Sequence, residues 1–206
     1  IALADRVSLN IEAPTAGHLA KLSRAKQFGG EILGSIARIH NHLKNRRDVT
    51  HTTQYIVGAA AESDQDILTS SASLYNSYGL KRAYYSAFQP VNGTPLGFLP
   101  PTPLLRENRL YQSDFLLRQY GFSLDELVFD PGGNLDQELD PKLAFALFHP
   151  ELFPLDINKA PYETLLRVPG IGPRSASRII QVRRQHRFAD PRELKNAGVV
   201  LKRALS

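Results

Sequence analysis

Asn158-Lys-Ala-Pro-Tyr-Glu-Thr-Leu-Leu-Arg-Val-Pro-Gly-Ile-Gly-Pro-Arg-Ser-Ala-Ser-Arg-Ile-Ile180 carries the densest local signals in this 206-residue chain. It predicts two short helices joined by the hairpin Val168-Pro-Gly-Ile-Gly-Pro173. Asn158 is expected to cap the first helix, with Pro161 in its first turn, where a missing N–H costs little. Leu165, Leu166 and Val168 supply apolar contacts. Gly170 and Gly172 are expected to give the backbone the freedom a tight reversal needs. Pro173 suits the first turn of the second helix, and Ala176, Ile179, Ile180 and Val182 follow at helical spacing.

Two glycines leave main-chain N–H groups bare at a helix N-terminus, a ready place for an anion. Arg174, Arg178, Arg183 and Arg184 surround it with positive charge. An ordinary helix pair with a glycine turn would share this outline. Here, though, the double glycine, both prolines and the flanking arginines coincide. The pattern resembles the helix-hairpin-helix module. That resemblance implies a grip on a nucleic-acid phosphate backbone without base reading, carried by Gly170, Ile171, Gly172, Arg174 and Arg178. Charge is distributed accordingly. Residues 159–206 hold 11 Lys/Arg against 3 Asp/Glu, a net +8, whereas residues 1–158 hold 14 against 17, a net −3. The demand for an acidic partner is therefore local to the C-terminal quarter. A solvated basic face has the same charge, so the hairpin is what gives the charge a direction.

An apolar content of 42% and a charged content of 22% are those of an ordinary globular protein. No run approaches a membrane span, and the first residues lack a secretory pattern, so a cytoplasmic location is expected. The absence of Cys excludes disulfides and thiolate metal sites within these residues. Six His are scattered without metal-ligand spacing, and neither a Ser–His–Asp set nor a P-loop is present.

Upstream of the hairpin the pattern alternates between strand and helix. Arg6–Ala13 has period two, with Val7, Leu9 and Ile11 on one face and Ser8, Asn10 and Glu12 on the other. Thr15 opens a helical region that Phe28-Gly-Gly30 interrupts, and Ile32, Ile36, Ile39 and Leu43 stripe the next helix. Thr52–Gly58 reads as a second strand. Ser63 with Asp66 makes a capping box for a helix carrying Ile67, Leu68 and Leu74. Leu80–Phe88 reads as a third strand, and Arg106–Tyr120 as a helix. The alternation predicts a parallel α/β sheet. Three parallel strands alone leave faces and edges uncovered, and the chain starts at Ile1 rather than Met, so it is expected to be the second half of something larger.

Val7-Ser-Leu-Asn-Ile-Glu-Ala-Pro14, Thr53-Gln-Tyr-Ile-Val-Gly58 with Glu62, and Tyr85-Ser-Ala-Phe-Gln-Pro90 with Gly93-Thr-Pro-Leu96 resemble the fourth to sixth strands of a radical S-adenosylmethionine enzyme. With the hairpin, the whole chain resembles the C-terminal half of DNA modification or repair radical SAM proteins that associate with a uracil-DNA glycosylase-like partner. The resemblance implies a partial parallel (β/α) barrel of radical SAM type followed by a small all-α helix-hairpin-helix domain. It implies S-adenosylmethionine contacts from Ser8, Asn10, Glu12, Gln54, Ile56, Gly58 and Phe88. It also implies a [4Fe–4S] cluster whose cysteines lie upstream of residue 1. Gln54 stands where the family has Gly, and Glu62 comes one residue late, so Glu62 can equally belong to the start of the following helix. Ser8, Asn10 and Glu12 can alternatively just line a polar barrel interior.

The expected organisation is barrel over 1–128, a linker with a short helix over 129–145, and the nucleic-acid module over 146–206. Asp140-Pro141 is expected to start the short helix and His149-Pro150 to break it. Asp190, Pro191 and Glu193 are expected to cap a last helix, with Phe188 and Leu194 packing on the module. Two functions follow. One is a radical SAM enzyme acting on nucleic acid, DNA by family analogy. The other is a non-catalytic DNA-binding scaffold for the glycosylase-like partner.

Overall fold

The computed structural model describes residues 4–46 and 48–205. They divide into two compact units. The first takes the chain up to Asp114 together with Phe129–Gln137, and the second takes Phe115–Val128 and everything from Glu138 on.

The first unit is built on three parallel strands, β1 Arg6–Ser8, β2 Thr50–Val57 and β3 Arg82–Ala87, in the order 1-2-3. Helix α1 (Ala16–Leu22) follows β1, capped by the Thr15 side chain on the His18 N–H. A π-helical turn at Phe28–Leu33 runs straight into α2 (Gly34–Leu43). Phe28-Gly-Gly30 thus widens a helix rather than ending one. The capping box of Ser63 and Asp66 starts α3 (Asp64–Tyr78), and Gly79, in the left-handed region at φ 62°, ends it. Tyr55, Val57, Ile67 and Leu68 form the buried centre, each at most 0% exposed, with Ile11, Leu19 and Ile36.

The expected partial barrel of radical SAM type does not form. Among the described residues the three strands make one open sheet. Two observations explain this. The outer edge of β3 is saturated by side chains instead of by another strand. The Ala83 N–H donates to the Tyr75 hydroxyl (2.9 Å), the Tyr85 N–H to the Tyr111 hydroxyl (3.0 Å) and the Ala87 N–H to Glu107 (2.7 Å). Tyr111 and Glu107 come from α4 (Leu104–Gln119). At the other edge, β1 pairs for only three residues, Arg6↔Thr50 to Ser8↔Thr52. The chain then bulges before touching β2 again at Glu12↔Tyr55. The Thr53 hydroxyl holds the bulge, accepting from the Ile11 N–H (3.0 Å) and donating to the Leu9 carbonyl (2.8 Å).

The second unit is helical. Asp140 caps α5 (Pro141–Phe148), with Pro141 at its first turn, as expected. Then come α6 (Tyr162–Leu165), α7 (Pro173–Arg183), α8 (Glu193–Asn196) and α9 (Leu201–Ala204). Leu165, Leu166, Ile171, Ala176, Ile179 and Phe188 make its core. α6, α8 and α9 are four residues each, too short to be stable alone, so this shared core is what holds them.

Candidate nucleic-acid interface

The link between α6 and α7 is the hairpin read from the sequence, but its two glycines serve different ends. Gly170 has φ 82°, the left-handed region. A Cβ there would lie 2.5 Å from the Val200 carbonyl oxygen, so Gly170 is also the seat of the C-terminal segment. The Val200 N–H donates to the Gly170 carbonyl (3.0 Å). Gly172 has an ordinary φ of −102° and is the N-cap of α7. Its lack of a side chain matters for space: a Cβ would come 3.1 Å from the Tyr120 hydroxyl.

α7 therefore opens with Gly172, Pro173, Arg174 and Ser175. Pro173 has no N–H. Among the described residues, the N–H groups of Gly172, Arg174 and Ser175 have no hydrogen-bond partner. These are the orphan donors of a helix N-terminus, and the helix dipole adds partial positive charge there. Arg174 and Arg178 are exposed, one turn apart on α7, and among the described residues neither has an ion-pair partner. Arg184, Lys195 and Lys202 are also exposed and unpaired in that sense.

Not every nearby arginine is available. Arg183, grouped with the site from sequence, spends its guanidinium on the carbonyls of Ile157 (3.0 Å) and Ala160 (2.7 Å). Arg167 forks onto Glu126 (2.9 and 2.7 Å), also reaches the Tyr120 and Gly121 carbonyls, and lies over the Phe122 ring at 4.3 Å. Both are braces. Asn158 does not cap α6 either, since Pro161 holds that position. Asn158 instead clamps the Phe188 backbone, donating to its carbonyl (3.0 Å) and accepting from its N–H (2.8 Å). Glu193 reaches back to the Asp190 N–H (3.0 Å) as expected, but Asp190 is not the cap of α8: the helix begins only at Glu193, with Arg192 in the N-cap position, and Asp190 turns the chain ahead of it by accepting from the Arg192 N–H (2.8 Å).

Lys142 is the residue that sequence reasoning missed. It is 7% exposed on α5, donates to the Ile171 carbonyl, and sits over the Tyr120 ring at 4.7 Å. Burial pushes it down to about 7, the Arg203 and Arg167 charges push the same way, and Asp140 opposes them. A lysine beside a helix start reads as surface, and no periodicity marks it as interior.

The residues expected to hold S-adenosylmethionine are only partly brought together. Ser8, Gln54 and Ile56 share one sheet face, by the pairs Ser8↔Thr52, Gln54↔Tyr84 and Ile56↔Ser86. Glu12 does not join them. The bulge adds one residue, which reverses the parity of the strand, and Glu12, at φ 68°, pairs with Lys26 (3.0 Å). Asn10 is exposed within the bulged stretch, and Phe88 is half-buried just beyond β3, its N–H on the Val57 carbonyl (2.9 Å). Beside Gly58, at φ 90°, the space is taken. A Cβ would fall 2.0 Å from the Thr102 hydroxyl, and Arg106 closes in from behind on Asp64 (2.7 Å). Glu62, 3% exposed, folds back on the N–H groups of Gly58 and Ala60 and so closes the loop before α3. The space directly beside Gly58 is thus filled by Thr102 and Arg106.

No curated protein and no solved structure matches the chain. The family model for the helix-hairpin-helix motif matches residues 154–203, so the stretch containing α6, the hairpin, α7 and α8 carries that motif.

Proposed function

We propose that the second unit binds duplex nucleic acid, DNA in the first instance, through its phosphate backbone, and that the chain acts as a non-catalytic binding module. One observation carries the reading: three unpaired N–H groups at the start of α7 stand beside Arg174 and Arg178, which have no competing carboxylate among the described residues. Backbone amides and guanidinium groups are the donors a phosphate takes, and neither reads bases. The catalytic reading depended on a barrel that the strands do not make, and it is not carried further.

Anisotropy titrations of two duplexes of unrelated sequence test this. The affinities are expected to agree within a few-fold and to drop steeply between about 50 and 200 mM salt. Replacing Arg174 and Arg178 together by Gln is expected to weaken both duplexes equally and to reduce the salt slope by about 2. Affinity that ignores salt, or that differs by orders of magnitude between the duplexes, would contradict the proposal.

A further inference from the structure

We propose that Lys142 is a positioning residue for the phosphate site, acting from inside the unit through the Ile171–Gly172 peptide and making the grip depend on a proton. The inference rests on the nucleic-acid reading of the hairpin. In a planar trans peptide the C=O and N–H point opposite ways. Among the described residues only Phe153–Pro154 is cis, so Ile171–Gly172 is trans. Lys142 holds the Ile171 carbonyl on the buried side. The Gly172 N–H of the same peptide is thereby turned the other way, and it is one of the three unpaired donors at the start of α7. The ammonium also polarises that peptide, and chained hydrogen bonds strengthen one another. A cation too deep to touch the phosphate thus acts on it through one amide.

The cost of such a residue points the same way. A methionine would fill the space without burying a charge. The groups facing Lys142 are Arg203 from α9, Arg167 beyond α6, Asp140 at the start of α5 and Tyr120 just beyond α4. Arg203 is itself held by Asp140 (2.5 Å). Two of these neighbours are cations, and with burial they place the titration of Lys142 near 7. Below that the ammonium is present. Above it the neutral amine still donates to the carbonyl, but its pull on the peptide is lost.

The full chain is tested with one duplex at constant low ionic strength, from about pH 6 to about pH 8.5. Wild-type affinity is expected to fall about three- to tenfold, centred near pH 7. His149 and His186 belong to the same unit, so the comparison with variants decides. Lys142→Met is expected to bind more weakly at pH 6 and to lose this component of the profile. Lys142→Arg, charged throughout, is expected to lose the fall and keep the affinity. In the free protein, the Gly172 amide resonance is expected to move with the same midpoint, and not to move in Lys142→Met. A Lys142→Met profile matching wild type, with duplex binding intact, overturns the proposal and leaves the nucleic-acid reading standing. No duplex binding by any of the three proteins overturns both.

Discussion

Gly170 and Gly172 look equivalent on paper, and the molecule separates them. Gly170→Ala must accept a left-handed φ and a Cβ 2.5 Å from a main-chain oxygen that cannot swing aside. A loss of about 2–4 kcal/mol in urea unfolding of the C-terminal unit is expected. Gly172→Ala meets only the far end of Tyr120 at 3.1 Å, and a loss under about 1 kcal/mol is expected. Equal losses would show that the backbone angle is not the deciding term. Titratable residues give a second test. His51 is 3% exposed with neither ring nitrogen hydrogen-bonded among the described residues, and burial first, then the His40 charge, lowers it to about 4. The unfolded chain takes up this proton near pH 6.5, before the folded one does, so stability drains as pH falls from about 6.5 toward 4. His51→Phe is expected to flatten that limb by roughly 2–3 kcal/mol, read from stability against pH. Lys142 works in the opposite range. Its folded value lies below its unfolded one, so the unfolded chain holds the extra proton between about 7 and 10.5, and stability rises with pH there.

At the scale of elements, what could be read in advance was whatever depends on neighbours in sequence. The Ser63–Asp66 box, the Asp140-Pro141 start and the Asp190–Glu193 reach all rest on contacts within four residues. What could not be read depends on distant partners. Asn158 has the residue type of a cap, yet its amide is committed to Phe188, thirty positions away. Asn158→Ala is expected to cost about 1–2 kcal/mol and to loosen the Phe188 segment while α6 persists, measurable by amide exchange. The bulge in the first strand is a similar case. Period two was evident over residues 6–13, but the extra residue that turns Glu12 away is set by Thr53, on another strand. Thr53→Val leaves the buried Ile11 N–H and the partly buried Leu9 carbonyl without this partner, and a loss of about 1–3 kcal/mol is expected.

Over the whole molecule, the parallel sheet follows from the strand–helix rhythm, and its termination does not. Nothing in the spacing of Tyr75, Tyr111 and Glu107 announces that they will occupy the outer edge of β3 in place of a fourth strand. The hairpin and its exposed arginines were legible. Their support was not, because Lys142, Arg167 and Arg183 are cations whose long stems conceal an interior role. The hydrogen bond from Val200 to Gly170 has one more consequence. It spans thirty positions, so the last turn cannot fray without releasing the hairpin loop between α6 and α7. Val200 and Ile171 amides should then exchange with deuterium at a common rate, as one opening unit. A bound duplex should slow both together, making the deuteration of Val200 a remote gauge of whether the hairpin is occupied.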